Sequence, residues 1–139
     1  MNLKFTRYLI KRHEGLRLKP YRCTAGKLTI GYGRNLDDIG ISEYEADIML
    51  EEDIFKSTMV LMDIFGNDCE TFIPKRKFAA LTDMVFNLGE TKFRQFKKMV
   101  VAIAKEDWDK AADEAKDSDW YEQVGERGVK IVEILREAV

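Results

Sequence analysis

The spacing of apolar side chains changes near the start of this chain, and that change limits the folds open to it. Residues 2–13 carry Phe5, Tyr8 and Leu9 at helical spacing, and Gly15 is placed to end that helix in a left-handed cap. Between Leu16 and Leu36 the pattern turns to period two, with a turn at Thr24-Ala25-Gly26-Lys27, which is the signature of a small antiparallel sheet. Beyond Ser42 the spacing is helical to the end. The expected class is therefore α+β and mainly helical, with the sheet confined to the N-terminal part.

The helical body can be divided from its punctuation. Ser42 and Glu45 form a capping box, so a helix starts there and runs to about Phe65, where Gly66-Asn67-Asp68 breaks it. Ala46, Met49, Leu50 and Asp53 share one face of that helix, and a carboxylate on an apolar stripe requires a partner. Pro74 is a suitable first residue for a segment ending at Gly89. With Phe78, Ala79, Ala80, Leu81, Met84, Val85, Phe86 and Leu88 it is apolar on nearly every side, as the central helix of a core would be. Phe93, Phe96, Val100 and Ile103 mark another helix, Trp108, Ala111, Ala112 and Ala115 a further one, and Val129, Val132 and Leu135 the last.

A chain of 139 residues, 45% hydrophobic, is long enough for one well-buried core and short for a second complete domain. The two cysteines lie far apart in sequence and form no metal-ligand cluster, which fits a reducing compartment and no metal or organic cofactor. Neither a signal sequence nor a membrane span is expected. A formal net charge of −2 argues against a dedicated nucleic-acid binder, but it hides an asymmetry: residues 1–36 hold nine Lys and Arg against Glu14 alone.

That basic segment also carries the candidate chemistry. Glu14 ends the first helix, where the partial negative charge of the helix terminus favours the protonated form that a general acid needs. On the second strand Leu28, Ile30 and Tyr32 share one face, and Thr29, Gly31 and Gly33 the other, where two missing side chains leave room against the backbone. Cys23 is a soft base whose thiolate Arg22 and Lys19 are near enough in sequence to favour. Three motifs are decoys. His13-Glu14 begins a zinc-peptidase-like string, but no second histidine exists. Pro74-Lys75-Arg76-Lys77 resembles a basic tag and reads better as the exposed start of the central helix. Met49, Met59, Met62, Met84 and Met99 read as core fillers.

Four blocks in order carry a family resemblance: Glu14-Gly15-Leu16-Arg17-Leu18-Lys19, Thr29-Ile30-Gly31-Tyr32-Gly33, Met84-Val85-Phe86-Asn87-Leu88-Gly89-Glu90, and Trp120-Tyr121 followed by Arg127. Over nearly its whole length the chain resembles the bacteriophage endolysins of the muramidase type, glycoside hydrolase family 24. The family pattern of Glu, eight residues, Asp or Cys, five residues, Thr is met by Glu14, Cys23 and Thr29. The resemblance implies a two-lobed lysozyme-like fold, with a sheet lobe at about 14–40, a bridging helix at about 42–65, and a helical lobe at about 66–139 plus residues 1–13. The segment from Leu36 to Ile41 is short beside longer family members, so the periphery of the small lobe is trimmed.

It further implies hydrolysis of the β-1,4 bond between N-acetylmuramic acid and N-acetylglucosamine in peptidoglycan. Glu14 would be the proton donor, Cys23 the base or electrostatic partner, and Thr29 the holder of the attacking water. Gly33, Phe86 and Asn87 would lie at the cleft, Arg127 would reach toward Glu14, and Arg34, standing where relatives have a histidine, would pair with Asp53. A host-cytoplasmic protein, monomeric by default and without stable membrane insertion, would reach its wall through a holin-type pore-former. A lytic transglycosylase and a catalytically silent wall-binding module remain as alternatives.

Overall fold

A computed structural model describes residues 1–139, which divide into two units, Met1–Ile48 and Met49–Val139. The first holds α1 (Leu3–Glu14), a three-stranded antiparallel sheet of β1 (Arg17–Arg22), β2 (Leu28–Gly31) and β3 (Arg34–Asn35) in that order, and the start of α2 (Glu43–Phe65). Asn2 caps α1 by accepting the Phe5 N–H at 3.1 Å. At its other end the Gly15 N–H closes on the Lys11 carbonyl at 3.0 Å. The glycine has a positive φ of 70°, but with ψ at 166° it is not the left-handed cap expected from sequence.

Strand register follows the period-two pattern. Tyr21 faces Thr29 and Arg22 faces Leu28 across β1 and β2, and Thr29 faces Asn35 across β2 and β3. Between Arg17 and Tyr21 the ladder is irregular, where Pro20 has no N–H to give. The short 36–41 connection is knitted by polar contacts. Asp37 accepts the Leu28 N–H at 2.7 Å and so extends the β2 ladder past the end of β3, and Asp38 takes the Lys27 ammonium at 3.1 Å and the Asn35 amide at 3.0 Å.

The Ser42 and Glu45 capping box closes α2 reciprocally: the Ser42 N–H reaches Glu45 Oε1 at 3.0 Å, and the Glu45 N–H reaches Ser42 Oγ at 3.1 Å. The helix ends at Phe65, as its punctuation indicates.

The second unit is helical: the rest of α2, a 3-10 turn at Cys69–Thr71, α3 (Lys75–Leu88), α4 (Glu90–Arg94), α5 (Lys97–Ala104), α6 (Trp108–Lys116), α7 (Asp119–Val124) and α8 (Glu126–Arg136). Its core is built from Leu61, Leu81, Met84, Phe93, Met99, Ile103 and Leu135, with α6 contributing the fully buried Ala111, Ala112 and Ala115, whose small side chains let α5 and α8 approach closely.

Further sequence expectations are corrected. The segment from Phe93 to Ile103 is two helices, because the chain turns at Gln95 before α5 restarts after Phe96. The short α7 has its own cap, Ser118 Oγ accepting the Tyr121 N–H at 3.2 Å. The central helix α3 is buried on one face only, through Ala80, Leu81, Met84 and Val85, and Met49 and Met59 are exposed on α2 rather than filling the core.

Lys77 is another. Far from being an exposed start of a helix, it is only 2% exposed. Its ammonium donates to the Leu135 and Glu137 carbonyls at 2.6 Å each and to Ile134 at 3.2 Å, 5.2 Å from the Trp108 ring centroid. At the C-terminal end of α8 the Ile134 carbonyl already takes the Glu137 N–H, and the buried cation adds a donor for the Leu135 carbonyl and for that of the capping Glu137.

Candidate active site

Glu14 is the last residue of α1, and the chain leaves it through Gly15 into β1. Its carboxyl lies on the backbone of Gly33, in the tight turn joining β2 to β3. A Cβ placed at Gly33 would fall 2.5 Å from Glu14 Oε2 and 2.9 Å from its Cδ. The space left by a missing side chain is therefore taken by the candidate acid.

Cys23 follows β1 and opens the turn to β2. Its N–H donates to the Lys27 carbonyl at 3.0 Å, and its carbonyl accepts from the Gly26 N–H at 2.8 Å, which folds the turn around the side chain. The thiol is held below its ordinary pKa first by the Lys27 N–H, then by the Ala25 N–H; partial burial opposes them, and the Thr29 hydroxyl adds a smaller favourable contribution. The expectation that Arg22 and Lys19 activate Cys23 is thus corrected. Arg22 donates to the Gly26 carbonyl at 3.1 Å and lies 3.5 Å from Asp37, while Lys19 is exposed. Neutral backbone amides, not side-chain cations, favour the thiolate.

Thr29 is 3% exposed, and its hydroxyl donates to the Lys27 carbonyl at 2.9 Å. A hydroxyl has one proton, so while that bond is made Thr29 can only accept from the Cys23 thiol. Once Cys23 is a thiolate, the same proton serves it only if the hydroxyl turns away from Lys27.

Arg34, expected from sequence to pair with Asp53, has its partners within its own unit. Its Nη1 donates to Glu45 Oε1 at 2.8 Å and to the Gly40 carbonyl at 3.2 Å, and Asp53 is exposed. One carboxylate thus closes the α2 cap and anchors β3. The Arg34 guanidinium, followed by the Ser42 donors, holds Glu45 down at about 2. Sequence alone read Glu45 only as a capping residue; an arginine in the strand just before a capping box is the signal that assigns it a second partner.

In the second unit, Phe86 is 43% exposed and lines an apolar groove of about 430 Å³ with Leu50, Ile54, Phe78, Asp83 and Arg127. Asn87 accepts the Trp120 indole N–H at 2.9 Å, so its carbonyl oxygen is already committed. Arg127 donates from Nε to Asp83 at 2.6 Å, a carboxylate that sequence reasoning missed although it stands alone on an otherwise apolar helix face. No cluster of three or more His, Cys, Asp or Glu is arranged to hold a metal ion.

Comparison with known proteins identifies the family. The sequence model of the Phage lysozyme family matches residues 11–137. An "Endolysin" of Acyrthosiphon pisum secondary endosymbiont phage 1 is 39% identical over 89 residues, covering 61% of this chain and 58% of the relative. "Probable T4-type lysozyme 2" of Dictyostelium discoideum is 27% identical, with 91% of each chain covered. "Pre-baseplate central spike protein Gp5" of Enterobacteria phage T4 is also 27% identical, over 91% of this chain and 27% of the relative. The chain thus spans a little over half of the endolysin it matches and nearly all of the slime-mould lysozyme.

Proposed function

The chain belongs to the Phage lysozyme family, a group of glycoside hydrolases, and from that premise we propose that it is a muramidase cutting the β-1,4 bond between N-acetylmuramic acid and N-acetylglucosamine in peptidoglycan. Protonated Glu14 gives its proton to the bridging oxygen as the bond from that oxygen to the anomeric carbon breaks, leaving an oxocarbenium-like centre. Water held by Thr29 adds to that carbon and passes its proton to the Cys23 thiolate. Exchange with solvent then returns Cys23 to the thiolate and Glu14 to the acid. The turn amides of Ala25 and Lys27 supply the negative sulfur that this step needs without a second carboxylate.

The observation that supports this reading most is the seat of the Glu14 carboxyl on Gly33, in the same unit as a thiol whose turn favours its ionised form. Phe86 and Asn87 serve as sugar contacts. Cell lysis, with a companion pore-former giving access to the wall, belongs to the same proposal; no helix of the chain is long and apolar enough to cross a membrane.

One observation favours a second reading: the group accompanying Glu14 is a thiol, and a lytic transglycosylase needs one acid only, the 6-hydroxyl of muramic acid replacing water. Mass spectrometry of purified peptidoglycan after digestion decides between them. New reducing muramic ends are expected; 1,6-anhydro ends would establish the transglycosylase instead.

A further inference from the structure

We propose that Gly33 is the positioning residue for the acid: its bare Cα leaves the space in which the Glu14 carboxyl rests, so any side chain at position 33 displaces the proton donor. This deepens the function proposed above and rests on it. Two glycines lie at the turn from β2 to β3, and both have positive φ, 72° at Gly31 and 75° at Gly33. Their surroundings are not. A Cβ at Gly31 would meet nothing within 4 Å, whereas one at Gly33 would meet three atoms of Glu14, at 2.5, 2.9 and 3.4 Å.

A carbon that close to a carboxylate oxygen is well inside contact distance, so one of the two must move. The glycine belongs to a two-residue turn between paired strands, while Glu14 is an exposed side chain free to rotate. Glu14 therefore yields. Proton transfer in the transition state depends on the donor's position, and a displacement of about 1 Å can lower a rate by about 100-fold.

The matched pair Gly31→Ala and Gly33→Ala separates this role from backbone strain, because both place a β-carbon at positive φ and only one meets the acid. Initial rates over a range of purified peptidoglycan concentrations give kcat and KM for each. Gly33→Ala is expected to lose at least tenfold in kcat with KM within threefold of wild type, and to lose far more in kcat than Gly31→Ala. An equal fall in kcat for the two variants would make strain the cause and overturn the proposal; so would a change in KM alone at Gly33, which would make it a substrate contact. If Gly33→Ala does not fold, Gly33→Asn serves, since asparagine tolerates positive φ and still carries a β-carbon.

A readout without turnover keeps this inference separate from the proposed reaction. The Glu14 ¹³Cδ resonance is expected to move in Gly33→Ala and to stay in Gly31→Ala, whether or not the wild type degrades peptidoglycan. A wild type inactive on peptidoglycan would remove the muramidase reading; a Glu14 resonance that stays put in both variants, or moves equally in both, would remove the role of Gly33.

Discussion

Replacing Cys23 by aspartate exchanges a base that is partly protonated at neutral pH for one that is fully ionised. A thiol with an ordinary pKa of about 8.5 is about 3% thiolate at pH 7. If the ionised form is the working base, and nothing had lowered its pKa, full ionisation would raise the rate at pH 7 by about 30-fold. The amides of Lys27 and Ala25 and the Thr29 hydroxyl already lower the thiol pKa, so the gain must fall below that ceiling. We expect Cys23→Asp to be faster at pH 7 by less than about 30-fold, the ceiling set by the ionised fraction of a free thiol.

The pH–rate profile carries the sharper test. In the wild type kcat/KM should rise with pH through the thiol range, because the base must lose its proton. In Cys23→Asp that limb should move down toward about 4, the range of an ordinary aspartate. Initial rates of turbidity loss on purified peptidoglycan, from pH 4 to 9 at constant ionic strength, resolve both limbs. A rising limb at the same pH in wild type, Cys23→Asp and Cys23→Ser would refute the assignment of Cys23 as base, whatever the absolute rates.

Two further outcomes follow from the scaffold. Lys77→Met leaves carbonyls at the buried end of α8 without a donor; less the relief of removing a buried charge, the cost should be about 2–4 kcal/mol, or a Tm lower by about 6–12 °C by calorimetry, and an unchanged Tm would contradict the capping role. Glu45 is depressed to about 2, so its contribution to stability is complete above the ordinary carboxylate pKa and is lost as pH falls from about 4.3 through that value; Glu45→Gln should abolish this part of the acid-induced loss in denaturant titrations, and an identical pH dependence in the variant would refute it.

Local patterns in the sequence carried much of this fold. The Ser42 and Glu45 box, the break after Phe65 and the turn at 24–27 are signalled by residues whose backbone preferences act over three or four positions, and all three appear where the spacing puts them. What stayed hidden depends on partners distant in sequence. Lys77 looks solvent-facing in a basic run, yet it meets carbonyls almost sixty residues away. Spacing along a helix cannot say which of its carboxylates a strand residue reaches, and Arg34 takes Glu45. Asp83 as the partner of Arg127 lies behind the same limit. In the candidate site, residue types and spacing were legible at Glu14, Cys23 and Thr29. The means of activating Cys23 was not, because backbone amides leave no mark in side-chain identity.

Glu14→Gln measures the central claim most directly, since it keeps the size and the hydrogen-bonding ability of the side chain while removing the transferable proton. Wild type and variant are compared for turbidity loss on the same peptidoglycan suspension, with matched circular dichroism spectra and Tm to establish equal folding. Proton donation by Glu14 requires the variant to lose at least 100-fold in rate, within the range that general acid catalysis supplies. A folded Glu14→Gln that clears the suspension within threefold of the wild-type rate would contradict it.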